Sequence, residues 1–214
     1  MEKVIVFGSG GHAKTVIDIL EKQKLYEILG VFTDDLGKVG PTFFDYPVLG
    51  KIDDFYGSDK GILALGYNFK RYQVAEKILK VNPNFTFIKA IHPSAVIGRN
   101  VTIGDGTVVV GGVVINPSAR IGNHCVINTK ASVGHDVTVG DYSTIAPGAT
   151  LGGFAVIGEL SRIALGASVI QRITVGSGSL VGAGATVVRD IPDGVLAYGV
   201  PAKVIRKRKF DEKF

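Results

Sequence analysis

The sequence predicts a mixed architecture: a small N-terminal Rossmann-like α/β domain followed by a parallel β-helix of hexapeptide repeats. Three observations predict it. Counted in sixes from Ile97, every position through Val187 is Ile, Val or Leu, sixteen in succession without a miss. Two residues before these aliphatics, from Ala95 to Ala155, stands a small or slim residue. The first ninety residues instead alternate short aliphatic runs with helix-period patterns, and the first run ends in a glycine turn.

In the repeat region, one six cannot bury its own aliphatic residue, so the sixes must stack. Three sixes per coil give about five coils, each rising ~4.8 Å as neighbouring strands do. The residue after the aliphatic is Gly at nine of the sixteen positions, including Gly98, Gly104, Gly122, Gly134 and Gly140. Gly and Asn are expected where the turns need positive φ. No six is interrupted, so no long arm projects from a corner. Periodicity leaves the hand of the coil open.

Element by element, Val4 to Phe7 reads as a short buried strand, and Gly8-Ser9-Gly10-Gly11-His12-Ala13-Lys14 follows it. A helical pattern through Val16, Ile17, Ile19 and Leu20 runs to about Lys24. Ile28 to Phe32 is a second strand ending at Asp34-Asp35, and Gly61 to Leu65 a third ending at Gly66. A second helix covers Arg71 to Leu79, and Phe85 to Ile91 bridges into the first hexapeptide. Such alternation implies a parallel sheet with ligands at the carboxyl ends of its strands. The domains are therefore expected at residues 1–90 and 91–191, with a capping segment and basic tail at 192–214.

Gly8-x-Gly10-x-x-Ala13 matches the dinucleotide fingerprint formally, and Asp34 lies where a ribose-binding acid belongs. Amides bared by glycine and the positive end of a helix suit a phosphate. Ninety residues hold only one mononucleotide-sized half, so the alternatives are a nucleotide carried on a sugar and a purely structural turn.

Composition narrows the function classes. No charged-then-apolar leader and no run of ~20 apolar residues is present, so a cytoplasmic, soluble chain is expected. The lone cysteine, Cys125, excludes an intrachain disulfide and shares the small inward phase, where a packed thiol is inert. Of the net charge of +5, most sits in Lys203 to Phe214, where six cations face Asp211 and Glu212. No basic face spreads over a domain, which argues against nucleic acid. The tail is either solvated charge or a clamp for an anionic cofactor, and it can close the last coil.

Four histidines are candidates for chemistry. His12 lies at the glycine turn and His92 at the domain junction, while His124 and His135 occupy turn phases of the repeat. His135 is in an outward, polar phase and Asp136 follows it. A carboxylate bonded to one ring nitrogen fixes the tautomer and raises the basicity of the other.

The glycine turn, Asp34-Asp35, Ile91-His92-Pro93-Ser94-Ala95, Asn128-Thr129 ahead of Gly134-His135-Asp136, Ala146-Pro147-Gly148-Ala149-x-Leu151-Gly152-Gly153 and Gly199-Val200-Pro201-Ala202-Lys203 together resemble one family. It is the hexapeptide-repeat acetyltransferases that modify amino sugars for surface glycans. UDP-4-amino-sugar and GDP-perosamine N-acetyltransferases typify it, and enzymes named as sialic-acid O-acetyltransferases are included. The resemblance spans nearly the whole chain and implies a left-handed coil, a homotrimer and acetyl-CoA in the groove between neighbouring helices.

It also implies His135 as general base tuned by Asp136. Gly10, Gly11, His12, Asp34, Asp35 and Gly66 would hold the nucleotide end of the sugar donor, with Asn128 a further substrate-binding residue. Thr144, Leu165 and Ala183 would touch acetyl-CoA, and Gly153 and Lys203 complete the cofactor set. A histidine can stand in the family where this chain has Thr144. The implied reaction is direct N-acetylation of a nucleotide-linked, UDP-type 4-amino-deoxy sugar, without a metal. An alcohol acceptor, as in O-acetylation of sialic acid, is an alternative. So is a non-catalytic nucleotide-binding scaffold, and so is a zinc site built from His92, His124 and His135.

Overall fold

The computed structural model describes residues 1–55 and 58–212. Lys213, one of the tail cations counted above, lies outside the described residues. The chain divides into two compact units, Met1–Pro93 and Ser94–Phe214.

In the first unit, β1 (Glu2–Phe7), α1 (Gly11–Gln23), β2 (Tyr26–Phe32), β3 (Thr42–Phe43), β4 (Tyr46–Gly50), β5 (Lys60–Leu63), α2 (Asn68–Val81) and β6 (Thr86–Phe87) follow in order. They build a six-stranded sheet in the order β3-β4-β2-β1-β5-β6. β1 pairs in parallel with β2 on one side and β5 on the other, so the chain reverses its direction of winding beside β1. Phe7, Phe32, Phe55 and Phe85 pack mostly edge to face in the core, with centroids 5.0–6.0 Å apart. α1 buries Ala13, Val16, Ile17, Ile19 and Leu20 on one face and stops at Lys24, whose φ of 56° is left-handed.

The hairpin of β3 and β4 was not foreseen. Its turn is Phe44-Asp45 with φ of 51° and 70°, a primed two-residue turn for which Asn-Gly is the usual signal. β4 contains Pro47, which marks an edge in sequence terms, yet it lies parallel to β2 with Val31 opposite Val48.

The second unit is the stacked coil. Two-residue strands recur every six residues, and each pairs in parallel with the strand eighteen residues on, as Val114 with Ser132 and Arg120 with Thr138. Three parallel sheets form the faces of a triangular prism. From Val109 to Val187 every inward aliphatic is at most 3% exposed. The exceptions are in the first coil, where Ile97 is 38% exposed. Burial of each such side chain stabilises by roughly 1.5–3 kcal/mol, and the inward column is the main source of order in a unit without a helix among its described residues.

Gly106, Gly112, Gly148, Gly166, Gly178, Gly184 and Asn100 take the positive φ expected of the turns, but the glycines after the aliphatics have a different role. Positive φ recurs every six residues from Asn100 to Gly184, and most of those residues are not glycine: Ser118, His124, Lys130, Asp136, Tyr142, Phe154, Leu160 and Arg172 all adopt it. The nine glycines that follow the aliphatics do not. A Cβ on Gly104 would lie 2.5 Å from the Asn123 nitrogen, and one on Gly140 2.6 Å from the Glu159 nitrogen. These positions are glycine because the next coil's backbone passes over them.

The small phase also does more than fill space. Thr107, Ser143, Ser161 and Ser179 each donate a hydroxyl hydrogen bond of 2.7 Å to a carbonyl: those of Gly122, Gly158, Gly176 and Pro192. The Thr107 oxygen accepts from the Cys125 amide, and the Ser143 and Ser161 oxygens from the Ser161 and Ser179 amides. This buried ladder ties coil to coil, and Cys125 stands within it.

The coil continues past Asp190. Ile191 bridges Val175, and Val195–Tyr198 pairs in parallel with Leu180–Val181. The register there is sixteen residues instead of eighteen, which is why the hexapeptide count fails although the winding does not. Lys203–Lys207 then lies antiparallel on Val195–Tyr198. Among the described residues no helix is long and apolar enough to cross a membrane.

Candidate functional site

His135 and Asp136 follow the strand Ser132–Val133 at one corner of the prism. Asp136 takes the left-handed turn conformation and its amide donates to the Pro117 carbonyl at 3.1 Å. The side chain folds back so that its Oδ2 lies 2.8 Å from His135 Nδ1. An ionised carboxylate can only accept, so Nδ1 carries the proton and Nε2 presents a lone pair. Both side chains are open, 57% and 42% exposed.

The next coil holds the imidazole from the other side. The His135 carbonyl accepts the Phe154 amide at 3.0 Å, and the Phe154 ring meets the imidazole edge to face, 5.1 Å between centroids. Arg172, one coil further, sits over the Phe154 ring at 4.7 Å. Gly153 lies against Nε2 itself: a Cβ there would be 2.6 Å from that nitrogen. The site is thus a column of turn residues at eighteen-residue spacing, of which the sequence reading named His135, Asp136 and Gly153 but not Phe154 or Arg172. Phe154 and Arg172 share the phase of Asp136, which was the available signal.

The other expected residues of this unit lie outside that column, with Leu165 and Ala183 on adjacent coils. Leu165 is 60% exposed, with Ala183 exposed eighteen residues on, while Thr144 is only 3% exposed. The Asn128 Oδ1 is engaged locally by the amide and hydroxyl of Thr129, at 2.8 and 3.3 Å. Lys203 opens the exposed terminal strand. His124 is buried, its ring stacked on Tyr142 at 4.9 Å, in a different turn column from His135. Among the described residues no three His, Cys, Asp or Glu side chains come together as a metal site.

In the first unit the expected residues do converge. Gly10, Gly11, His12, Asp34, Asp35 and Gly66 line one cavity of about 510 Å³, together with Gly8, Ser9, Thr33 and Lys70. Gly8 has a φ of +121°, and a Cβ would strike the Ala64 carbonyl at 2.8 Å, so glycine lets the ends of β1 and β5 approach. Gly10 caps α1 without a side-chain hydrogen bond, and no acid occupies the first turn. The helix therefore offers amides and a positive dipole end.

The polar walls are set by a short network. Ser9 and Thr33 hydroxyls are 2.6 Å apart, and the Asp35 amide donates to Thr33 Oγ1 at 3.2 Å. Asp34 accepts the Ile52 amide at 3.3 Å and pairs with Lys70 at 3.2 Å. Asp35 pairs with Lys38 at 3.2 Å. His12 keeps some surface, but its Nε2 is enclosed and has no hydrogen-bond partner among the described residues. Burial, aided by the Arg71 guanidinium, pushes its pKa down to about 4, so the ring is neutral at pH 7. Lys70 was missed by the sequence reading; it follows the Gly66 strand end by four residues.

Residues 3–78 match the PglD N-terminal domain, and residues 118–153 match the bacterial transferase hexapeptide repeat. The chain is 36% identical to perosamine N-acetyltransferase from Caulobacter crescentus, solved with CoA and GDP-perosamine, with a TM-score of 0.88. That likeness covers 97% of this chain and 98% of the other. This chain belongs to the hexapeptide-repeat sugar N-acetyltransferases. The acetyltransferase domain of PglB from Neisseria gonorrhoeae is equally similar in fold, at 35% identity over 96% of this chain and all of that one, TM-score 0.88. The UDP-N-acetylbacillosamine N-acetyltransferase of Bacillus subtilis is 36% identical over 113 residues. The match spans about half of each of those two chains, 51%.

Proposed function

We propose that this chain is an acetyl-CoA-dependent N-acetyltransferase of a nucleotide-linked amino sugar, a UDP-linked 4-amino-deoxy sugar destined for surface glycan, working as a cytoplasmic homotrimer. The observation that carries it is the His135–Asp136 pair, held at 2.8 Å with Nε2 left as the acceptor. The relatives solved with CoA and GDP-perosamine, and with acetyl coenzyme A, support the substrates. The bacillosamine relative supports the uridine nucleotide.

A sugar amine is mostly ammonium near neutrality and cannot attack a thioester until it loses a proton. The free amine, its ammonium proton already given to solvent, bonds to the thioester carbonyl carbon as His135 Nε2 takes a second proton from the nitrogen. Asp136 keeps the Nδ1 proton in place and stabilises the imidazolium that results. The Gly153 amide, beside Nε2 and engaged by no carbonyl of the described residues, is the proposed donor to the oxyanion. When the intermediate collapses the carbon–sulfur bond breaks, and the imidazolium returns its proton to the departing thiolate. No acyl-enzyme is needed: the lone thiol, Cys125, is buried.

The test is thiol release from acetyl-CoA with a panel of UDP-, GDP- and dTDP-linked 4-amino sugars, with sialic acid included. Release with a UDP-linked amino sugar, lost by ~10²-fold or more in His135→Ala, is the expected result. Release with sialic acid alone would transfer the enzyme to O-acetylation. Undiminished release by the alanine variant would remove His135 from the mechanism.

A further inference from the structure

A second cavity, of about 650 Å³, shares Ser9, Gly10, Gly11 and Asp35 with the first and is walled on its far side by Lys38, Val39, Gly40, Thr42, Phe43 and Phe44. We infer that this cavity receives the nucleobase, with the Phe44 ring as its stacking face. The inference rests on the reading of the first unit as a nucleotide binder and specifies how that binding is achieved.

The glycine turn is common to both cavities, so a diphosphate seated on its amides has two ways to extend. One way leads to Ala64, Leu65, Gly66 and Lys70, where the His12 imidazole, its Nε2 enclosed, is the one ring among the described lining residues. The other passes Asp35 at the carboxyl end of β2 and reaches the 36–47 loop, where two phenylalanines stand. A nucleobase is planar and aromatic on both faces. The side walled by phenylalanine suits it, and the other side is left for the sugar.

The two phenylalanines differ in a way that selects one. Phe43 is 8% exposed and belongs to the core; Phe44 is 44% exposed and lines the cavity. Phe44 also occupies the first central position of a primed turn, at φ 51°. An aromatic residue there is strained and exposed at once, whereas Asn would fit the backbone better and cost no apolar exposure. Strain of this sort persists at functional positions when another gain offsets it, and stacking on a base is such a gain. Lys14 and Lys38 flank the same space and add positive potential for the phosphates.

Stacking is tolerant of base identity, so the effect should be common to all nucleotides. Calorimetric titration of the full chain with UDP, GDP and dTDP is the experiment. Phe44→Ala should weaken whichever nucleotides the wild type binds by about tenfold or more, and Phe44→Tyr should keep wild-type affinity. Phe44→Asn separates stacking from folding: it should raise the melting temperature yet bind as weakly as the alanine variant. Affinity unchanged in Phe44→Ala and Phe44→Asn would overturn the inference while leaving nucleotide binding intact. No binding of any nucleotide by the wild type would overturn the underlying reading as well.

Discussion

Gly153 is one atom away from disabling the site. Its backbone lies against His135 Nε2, the nitrogen that must meet the amine, and a Cβ would intrude to 2.6 Å. Its φ lies outside the left-handed region, so alanine suits the backbone and the whole penalty falls on the imidazole. That ring cannot retreat freely, since Asp136 holds Nδ1 and Phe154 packs edge-on beside it. Gly153→Ala should therefore lower kcat by about 100-fold, the scale expected when a catalytic group is displaced by ~1 Å. The KM for the nucleotide sugar, whose nucleotide end the first unit holds in our reading, should stay within about twofold. Steady-state kinetics with a melting curve checks it: a variant with normal kcat would show that Nε2 does not work from this position. Phe154 takes a strained φ of 62° to reach the histidine, and Arg172 covers its ring.

The glycines separate into two populations at the scale of the coil, and substitution should separate them experimentally. Gly140 is pressed by the Glu159 backbone, whereas a Cβ on Gly166, at φ +64°, would meet nothing within 4 Å. Gly140→Ala should destabilise by about 1–3 kcal/mol through overpacking against rigid backbone. Gly166→Asn should cost about 1 kcal/mol or less, because Asn tolerates the left-handed conformation. Denaturant midpoints measure both, and equal losses would refute the distinction. The same contrast shows what was legible in sequence. The inward aliphatics were, because a strict period of six has one explanation in packing. The roles of the glycines were not, because close approach of a neighbouring coil and a positive φ both favour the absence of Cβ. The hydroxyl ladder was hidden for a related reason: Thr107 and Ser143 read as small before they read as hydrogen-bonding. At the site, the His135–Asp136 adjacency was visible along the chain, but Gly153 and Phe154 reach the imidazole, and Arg172 covers Phe154, only through the eighteen-residue stacking. Lys70 enters the first unit's cavity from the first turn of α2, just ahead of the span predicted from Arg71, and Phe44 enters from a turn without periodicity.

At the scale of the molecule, the basic tail is two things at once. Arg208 is 9% exposed and donates to the Gly178 carbonyl at 2.7 Å and to the Glu212 carbonyl at 2.7 Å. Phe210 lies on Gly178, Arg206 pairs with Glu212, and Lys203–Lys207 completes the sheet end. This part closes a coil whose strand edges would otherwise invite another chain. Deleting residues 203–214 should therefore cost about 3 kcal/mol or more, since it strips buried hydrogen bonds to a charged group together with a strand. Any change in acetyl-CoA use by the deletion would be confounded with that loss. Lys203, Lys207 and Lys209 are exposed, and they are the charges free to meet a phosphate. Their joint replacement by alanine should leave the melting temperature within a few degrees, because exposed charges contribute little. If the tail clamps the cofactor, the KM for acetyl-CoA should rise several-fold at low ionic strength, with the difference from wild type shrinking as salt screens the attraction. A KM equal to wild type at every salt concentration would leave these lysines as solvating charge on a structural cap.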